Sequence, residues 1–188
     1  MNVTKITDLD DIEAIGKLDT QKMIGEIDGL PDQLQTAYEA GKKLPVPDPT
    51  GIKYIIISGM GGSAIGADLL ASFLAPSCVV PIIVHRDYDL PHWAQGPEVL
   101  VIASSHSGNT EETLSSFTRA LTKGCKVMAV TTGGKLAEEA KSAGSVLWTF
   151  EHHGQPRAAV GYSFGLLLAA IFRMGIIPNP DFDVAQAV

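Results

Sequence analysis

Five short apolar runs recur along the chain: "YIIIS" (54–58), "VVPIIVH" (79–85), "VLVIAS" (99–104), "KVMAVTT" (126–132) and "SVLWTF" (145–150). Apolar residues follow one another in them instead of alternating with polar ones, the pattern of strands covered on both faces. Between most of the runs the spacing changes to threes and fours. Ile65, Leu69, Leu70 and Phe73 share one helical face, Leu114, Phe117, Ala120 and Leu121 share another, and a shorter helical pattern covers 135–143. Strand–helix alternation with doubly covered strands predicts an α/β fold, a parallel sheet wrapped by helices. Five strands suggest a flavodoxin-like doubly wound sheet, the strand order resting on analogy with that fold.

The flanks read differently. Residues 8–43 carry two stripes, Leu9, Ile12, Ile15, Leu18 and then Leu30, Leu34, Ala37, Tyr38, which predict a helical hairpin. Pro31 suits the first turn of its second helix. "LPVPDPTG" (44–51), with three prolines and a glycine, predicts a linker. The stretch 158–176 is apolar almost all round, so it is expected to be buried from several sides, in part by a partner domain or subunit. The tail 177–188 has two prolines and no periodicity, and reads as the start of a linker. Three segments result: a hairpin and linker over 1–50, the α/β domain over 51–177 and a linker over 178–188.

Composition narrows the function classes. The 188 residues are 45% hydrophobic and 19% charged, ordinary for a soluble globular chain. A net charge of −7 argues against nucleic acid or an anionic membrane as partner, since both demand a basic face. It leaves room for a small anion held by backbone N–H groups and one or two cations. Cys78 and Cys125 fit no metal or disulfide spacing and are expected to be buried, reduced thiols of a cytoplasmic protein. No apolar run reaches membrane-spanning length, and no signal-peptide pattern is visible at the start.

Candidate chemistry concentrates where strands give way to helices. "SSHSGNTEET" (104–113) follows the third apolar run and opens a helix. In a doubly wound sheet ligands bind at the carboxyl ends of the strands. The first N–H groups of that helix lack intrahelical partners and carry the positive end of its dipole. Ser105, Ser107 and Thr110 add hydroxyl donors, and Gly108 and Asn109 tolerate a tight turn. The result is a neutral phosphate cup made without Lys or Arg. Helix capping by Ser107 or Asn109, with Glu111 and Glu112 in the first turn, explains one hydroxyl but not three.

A second junction, "GMGGSAIG" (59–66), has Gly61 and Gly62 for close backbone approach and Ser63 at the helix start. A nicotinamide fingerprint, with Asp87 as ribose acceptor, is the rival reading and gives no account of the hydroxyl-rich cup. There is no Gly-Lys-Ser/Thr phosphate loop and no G-x-S-x-G elbow. The third segment, "EHHGQPRAAVGYSF" (151–164), places Arg157 before a helix, where the dipole disfavours a cation unless an anion is there to meet it. His152 and His153 are neighbours and face opposite ways if extended, which argues against a metal pair. His106 is either a solvent-facing loop residue or part of a sugar site.

Taken together, "GMGGS", "SxSGNTEET" and "QPRAAVGYSF" resemble the bifunctional phosphoglucose/phosphomannose isomerases, a branch of the sugar-isomerase (SIS) domain proteins. The SIS resemblance covers residues 51–176, and the third segment points to this branch. It implies two SIS domains in tandem, a homodimer, no cofactor, and interconversion of glucose 6-phosphate or mannose 6-phosphate with fructose 6-phosphate. By position, Ser105, Ser107 and Thr110 would hold the phosphate with help from Ser63, Gly61 and Gly62 would line the sugar, and Arg157 would stabilise the enediolate. Two departures stand out. The family usually has Tyr where this chain has His106, and its proton-moving carboxylate and ring-opening histidine lie in the second SIS domain. None of Glu111, Glu112 and Glu151 matches that carboxylate, so the chain resembles the N-terminal half, expected to bind ligand but be inactive alone. A complete single-SIS phosphosugar isomerase and a non-catalytic sugar-phosphate sensor are the alternatives.

Overall fold

The computed structural model describes residues 10–188. Strands β1 (Tyr54–Ser58), β2 (Ile82–His85), β3 (Val99–Ser105), β4 (Lys126–Thr131) and β5 (Val146–Thr149) form one sheet in the order β2-β1-β3-β4-β5. All neighbouring pairs are parallel. This is the flavodoxin-like order, and the α/β class expected from the pattern is the one found. β2 begins only at Ile82, later than its apolar run suggests. Pro81 accepts from Ile55 N at 3.0 Å but has no N–H to give, and Val79 beyond it is 89% exposed.

Alternate strand residues enter two cores. Ile55, Ile57, Leu100, Ile102, Met128, Val130 and Trp148 face one layer, containing α3 (Leu30–Gly41), α4 (Gly61–Leu74) and α7 (Val160–Arg173). Ile56, Val101, Ala103, Val127 and Ala129 face the other, where Phe117 and Ala120 of α5 (Glu111–Thr122) meet Leu136 and Ala140 of α6 (Gly134–Ser142). Period-two projection explains why consecutive apolar residues are needed: each face of the sheet has its own helices to meet.

The apolar stretch after β5 becomes a 3₁₀ turn, Pro156–Ala158, followed by α7. Its expected partner domain is not needed for cover, because α3 and α4 supply it. A Cβ on Gly161 would stand 2.6 Å from Leu30 O, and one on Gly165 2.8 Å from Leu34 O. These two glycines, four apart, let α3 lie directly on the α7 backbone. Leu166, Leu167, Leu168 and Ile171 are at most 2% exposed, and burial of each contributes about 1.5–3 kcal/mol.

The amino-terminal flank departs from the expected hairpin. It forms three helices: α1 (Ile12–Leu18), α2 (Met23–Asp28) and α3. Asp19 makes the break, its carboxylate accepting from Met23 N at 2.7 Å and Ile24 N at 2.9 Å. A side chain that takes backbone donors ends one helix and starts the next. The first stripe is not packed: α1 has no buried residue and Ile12 is 76% exposed, while Leu9 lies outside the described residues. Pro31 does occupy the first turn of α3.

The tail, read as irregular, contains α8 (Asp181–Ala187). Asn179 Oδ1 accepts from Asp181 N at 2.9 Å, and Tyr38 Oη donates to Asp181 Oδ1 at 2.7 Å. Val184 alone among its side chains is buried, so no periodicity was there to read. The two cysteines are free and only half-buried, more open than expected. No helix among the described residues is long and apolar enough to cross a membrane.

Candidate phosphate cup at the ends of β1 and β3

The chain leaves β1 for α4 on one face of the sheet and β3 for α5 on the other. The carboxyl ends of β1 and β3 are therefore neighbours where the two helical layers diverge. They approach closely: a Cβ on Gly59 would stand 2.8 Å from Ser104 O. Gly61, at φ +52°, opens α4 in a conformation that side chains disfavour. Two turns thus converge on one point with backbone polar groups inside.

The hydroxyls meet there. Ser105, only 2% exposed, shares a hydrogen bond with Thr110 across 2.9 Å between the hydroxyl oxygens, and its Oγ accepts from Gly108 N at 3.1 Å. Ser63 Oγ accepts from His106 N at 3.1 Å, which ties α4 to the β3–α5 loop. Ser107 is on the exposed side of the turn, its Oγ accepting from Asn109 N at 3.2 Å. Ser63, Ser105 and Thr110 are drawn together, then, while Ser107 is engaged with its own turn. Thr110 occupies the capping position of α5 but makes no side-chain capping bond, and neither Ser107 nor Asn109 fills that place. Capping therefore does not account for the cluster.

A second loop pins the cup from beneath. Thr132 donates to His106 O from N at 3.1 Å and from Oγ1 at 2.7 Å, and Leu136 N donates to Gly108 O at 2.9 Å. Asn109 bridges outward, accepting from Lys135 N at 3.2 Å.

Arg157 comes from the turn before α7. A Cβ on Gly62 would meet Pro156 O at 2.5 Å and Arg157 Cα at 3.1 Å, so Gly62 exists to let that turn rest on α4. The guanidinium is exposed and Nη1 donates to Gln155 Oε1 at 3.3 Å. No carboxylate pairs with it among the described residues. Its backbone is beside the cup; its charge is free to meet an anion. Asp87, the ribose acceptor of the rival reading, closes on its own loop and accepts from Tyr88 N at 2.7 Å.

What the residue pattern could not reveal is a line of three side chains behind the cup. His106 Nε2 is 2.9 Å from His152 Nδ1, and His152 Nε2 is 3.2 Å from Glu26 Oε2. The His106 and His152 rings meet edge to face, 5.1 Å between centroids. Phe150 packs on His106 and stacks with Tyr162, closing the aromatic box. The His152 side chain is 6% exposed, whereas His153 is exposed, as adjacent residues of an extended chain should be. Glu26 and His152 also line a cleft of about 630 Å³ between α2 and the start of α7. The only signal in the sequence was the pair of histidines itself; Glu26 is 126 residues away.

Burial and then the charge of His152 hold His106 below the ordinary histidine pKa. An unfolded chain would protonate His106 first, near pH ~6.5. The stability this contributes is complete above that value and is lost as pH falls from it towards the depressed folded value. Urea melts are expected to show lower stability at about pH 5.5 than at about pH 7.5, and His106→Phe to flatten that difference. Unchanged slopes in the variant would exclude His106 as the source.

Comparison with known proteins bears on what such a site serves. No family model matches the sequence. The bifunctional phosphoglucose/phosphomannose isomerase of Caldicellulosiruptor bescii is 46% identical over 167 residues, 88% of this chain and 49% of that protein. Over this length the chain is a homologue of the bifunctional phosphoglucose/phosphomannose isomerases. The family member from Aquifex aeolicus is 38% identical over 140 residues, 74% of this chain and 42% of that protein. This chain thus spans about half the length of the curated isomerases it matches. Among solved structures, the C-terminal domain of glucosamine-fructose-6-phosphate aminotransferase from Francisella tularensis superposes with a TM-score of 0.60 at 15% identity, over 89% of this chain and 51% of that one. That likeness shows the fold alone, a parallel α/β sheet with flanking helices.

Proposed function

We propose that this chain is the N-terminal, sugar-phosphate-binding half of an aldose–ketose isomerase that interconverts glucose 6-phosphate or mannose 6-phosphate with fructose 6-phosphate through an enediolate. The observation that carries the reading is the junction of Ser105, Thr110 and Ser63 at the ends of β1 and β3. It offers uncharged donors to a dianion on a protein of net charge −7. The names and lengths of the relatives support the reaction and the division into halves.

The roles follow from the chemistry. The phosphate, gripped by the Ser105 and Thr110 hydroxyls with Ser107 turning in from the rim, anchors one end of the sugar. Gly61, with open space where a side chain would stand, leaves the backbone bare for its hydroxyls, while Gly62 beneath it lets the Arg157 turn come close. Moving a proton between adjacent carbons builds negative charge on their oxygens, and Arg157, paired with no carboxylate among the described residues and beside Gly62, is a cation suited to stabilise it. Anchoring at the phosphate converts binding into orientation at the reacting carbons. The group that moves the carbon-bound proton belongs to the remainder of the protein, so this half binds without isomerising. Assembly as a homodimer and a cytoplasmic location complete the proposal.

Calorimetric titration of residues 1–188 with fructose 6-phosphate tests it. Binding is expected, with no binding of fructose. Ser105→Ala/Thr110→Ala is expected to weaken it roughly a hundredfold, the loss of two hydrogen bonds to a charged group. Equal affinity in the double variant would overturn the assignment of the cup, and rapid isomerisation by this segment alone would overturn the division of labour.

A further inference from the structure

The cup is made of uncharged donors, yet a line of titratable groups stands behind it. Glu26, as a carboxylate, only accepts, so the bond to it requires a proton on His152 Nε2. A neutral His152 then has a bare Nδ1, which accepts from His106 Nε2–H across 2.9 Å. His106 Nδ1 is left as the ring nitrogen of this line that takes a further proton without breaking either bond. A second extra proton does not fit. It would set the N–H groups of two cations head to head between His106 Nε2 and His152 Nδ1.

The first proton has somewhere to go. While His106 holds it, the Nε2–H can pass to His152 Nδ1, which leaves His106 neutral and puts the charge beside the Glu26 carboxylate. Two imidazoles thus share one positive charge, faced at the far end by a negative one.

The backbone of His106 ties this line to the cup. His106 lies between Ser105 and Ser107, its N–H donates to Ser63 Oγ at 3.1 Å, and its O accepts from Thr132. An anion gripped at Ser105 and Thr110 is therefore a near neighbour of the imidazole pair, around which Phe150 and Tyr162 pack. Close charges in such partly dry surroundings are weakly screened. We infer that His106 is the cationic member of the phosphate cup: a phosphate dianion entering the cup draws one proton onto the His106–His152 pair, which Glu26 orients from behind, so that anion and proton bind together. The inference rests on the sugar-phosphate reading of the cup and deepens it, by naming the charge that an otherwise neutral site sets against the dianion.

The step balances simply. One proton from solvent joins His106 Nδ1 as the dianion enters and returns to solvent as it leaves. In the free protein burial, and then the charge of His152, hold His106 below the ordinary histidine value, so it meets the ligand neutral at pH ~7. A dianion acts in the opposite direction. By linkage, the factor by which the ligand raises the proton affinity is the factor by which the proton raises the ligand affinity. The charged and titratable groups around the line are Lys22 and Asp32 on the α2–α3 side, Glu151 and His153 at the cleft rim, Tyr162 of α7 and Arg157 of the turn before it. Glu111 and Glu112 open α5, and Lys135 is in the first turn of α6. None of these is hydrogen-bonded to either imidazole, whose ring partners are each other and Glu26.

A magnetic-resonance titration of the histidine rings in residues 1–188, with and without saturating fructose 6-phosphate, tests the coupling. The ligand is expected to raise the proton affinity of the His106–His152 pair about tenfold or more. Before ligand is added, imidazole ¹⁵N shifts near pH ~7.5 should show Nε2–H and a bare Nδ1 on both residues. Calorimetry in buffers of different ionisation enthalpy counts the protons taken up on binding, and the ligand's own titration is common to every variant. His106→Phe and, as a polar check on packing, His106→Gln are expected to abolish the protein's share of that uptake and to weaken binding about tenfold near pH ~6. Glu26→Gln keeps an acceptor for His152 without the charge, and is expected to move the uptake to lower pH. Bound ligand with the histidine titration unchanged, protein uptake that survives both His106 variants, or a protonated Nδ1 on neutral His106 would each overturn the coupling and leave the cup standing. No binding at all would overturn both.

Discussion

Gly108→Ala is expected to dismantle the cup and to lower stability by at least ~3 kcal/mol. Gly108 holds φ at +66°, and a Cβ there would stand 1.8 Å from Gly133 O. The backbone conformation alone costs a non-glycine residue about 1–2 kcal/mol. The clash adds more, because the atom in the way is a carbonyl of the loop that feeds α6 and not the end of a flexible side chain. To relieve it, the β3–α5 loop must lift from the β4–α6 loop, breaking the bond from Leu136 N to Gly108 O and moving Gly108 N away from Ser105 Oγ. Sugar-phosphate binding and thermal stability are expected to fall together. A variant that melts like the original and still binds would show that the loop has freedom its geometry denies.

Trp148→Ala is expected to be as costly but for a different reason, about 3–5 kcal/mol from the cavity it leaves. The indole is fully buried beneath α3, and its Nε1 donates to Pro45 O at 2.6 Å. A Cβ on Gly41 would lie 3.0 Å from Trp148 Cζ3 and 2.5 Å from Ala169 Cβ, so the end of α3, the segment after it and α7 all seat around this ring. For a chain of this size such a loss lowers Tm by roughly 6–20 °C. Trp148→Phe, which keeps most of the ring but not the N–H, should lose far less. The second tryptophan, Trp93, is 46% exposed, so the blue-shifted part of the emission is expected to vanish with Trp148. Melting curves that coincide with the original would mean that this ring does not fasten the amino-terminal segment to the sheet.

Both variants bear on how far one dimension reaches into three. The apolar runs at 54–58, 99–104 and 126–132 predicted β1, β3 and β4 because a doubly covered strand must be apolar at every position. The loops that carry Ser63, Ser105 and Thr110 were legible for a similar reason: their glycines and hydroxyls report local backbone geometry. Other features left no such mark. Val184 is the one buried side chain of α8, and a single contact has no period. The stripe on α1 had a period but found no surface to cover. Ser107 looked equivalent to its neighbours until the turn placed it outside.

By itself, then, the sequence determined the kind and order of the elements from β1 to α7 and which loops hold the hydroxyls, since backbone periodicity and glycine conformation are local properties. Tertiary packing decided that α3 and α4 cover α7, that Ser105 meets Thr110 while Ser107 does not, and that Glu26, His152 and His106 fall into line. Contacts between segments over a hundred residues apart depend on how whole layers seat against one another, and no local spacing encodes that.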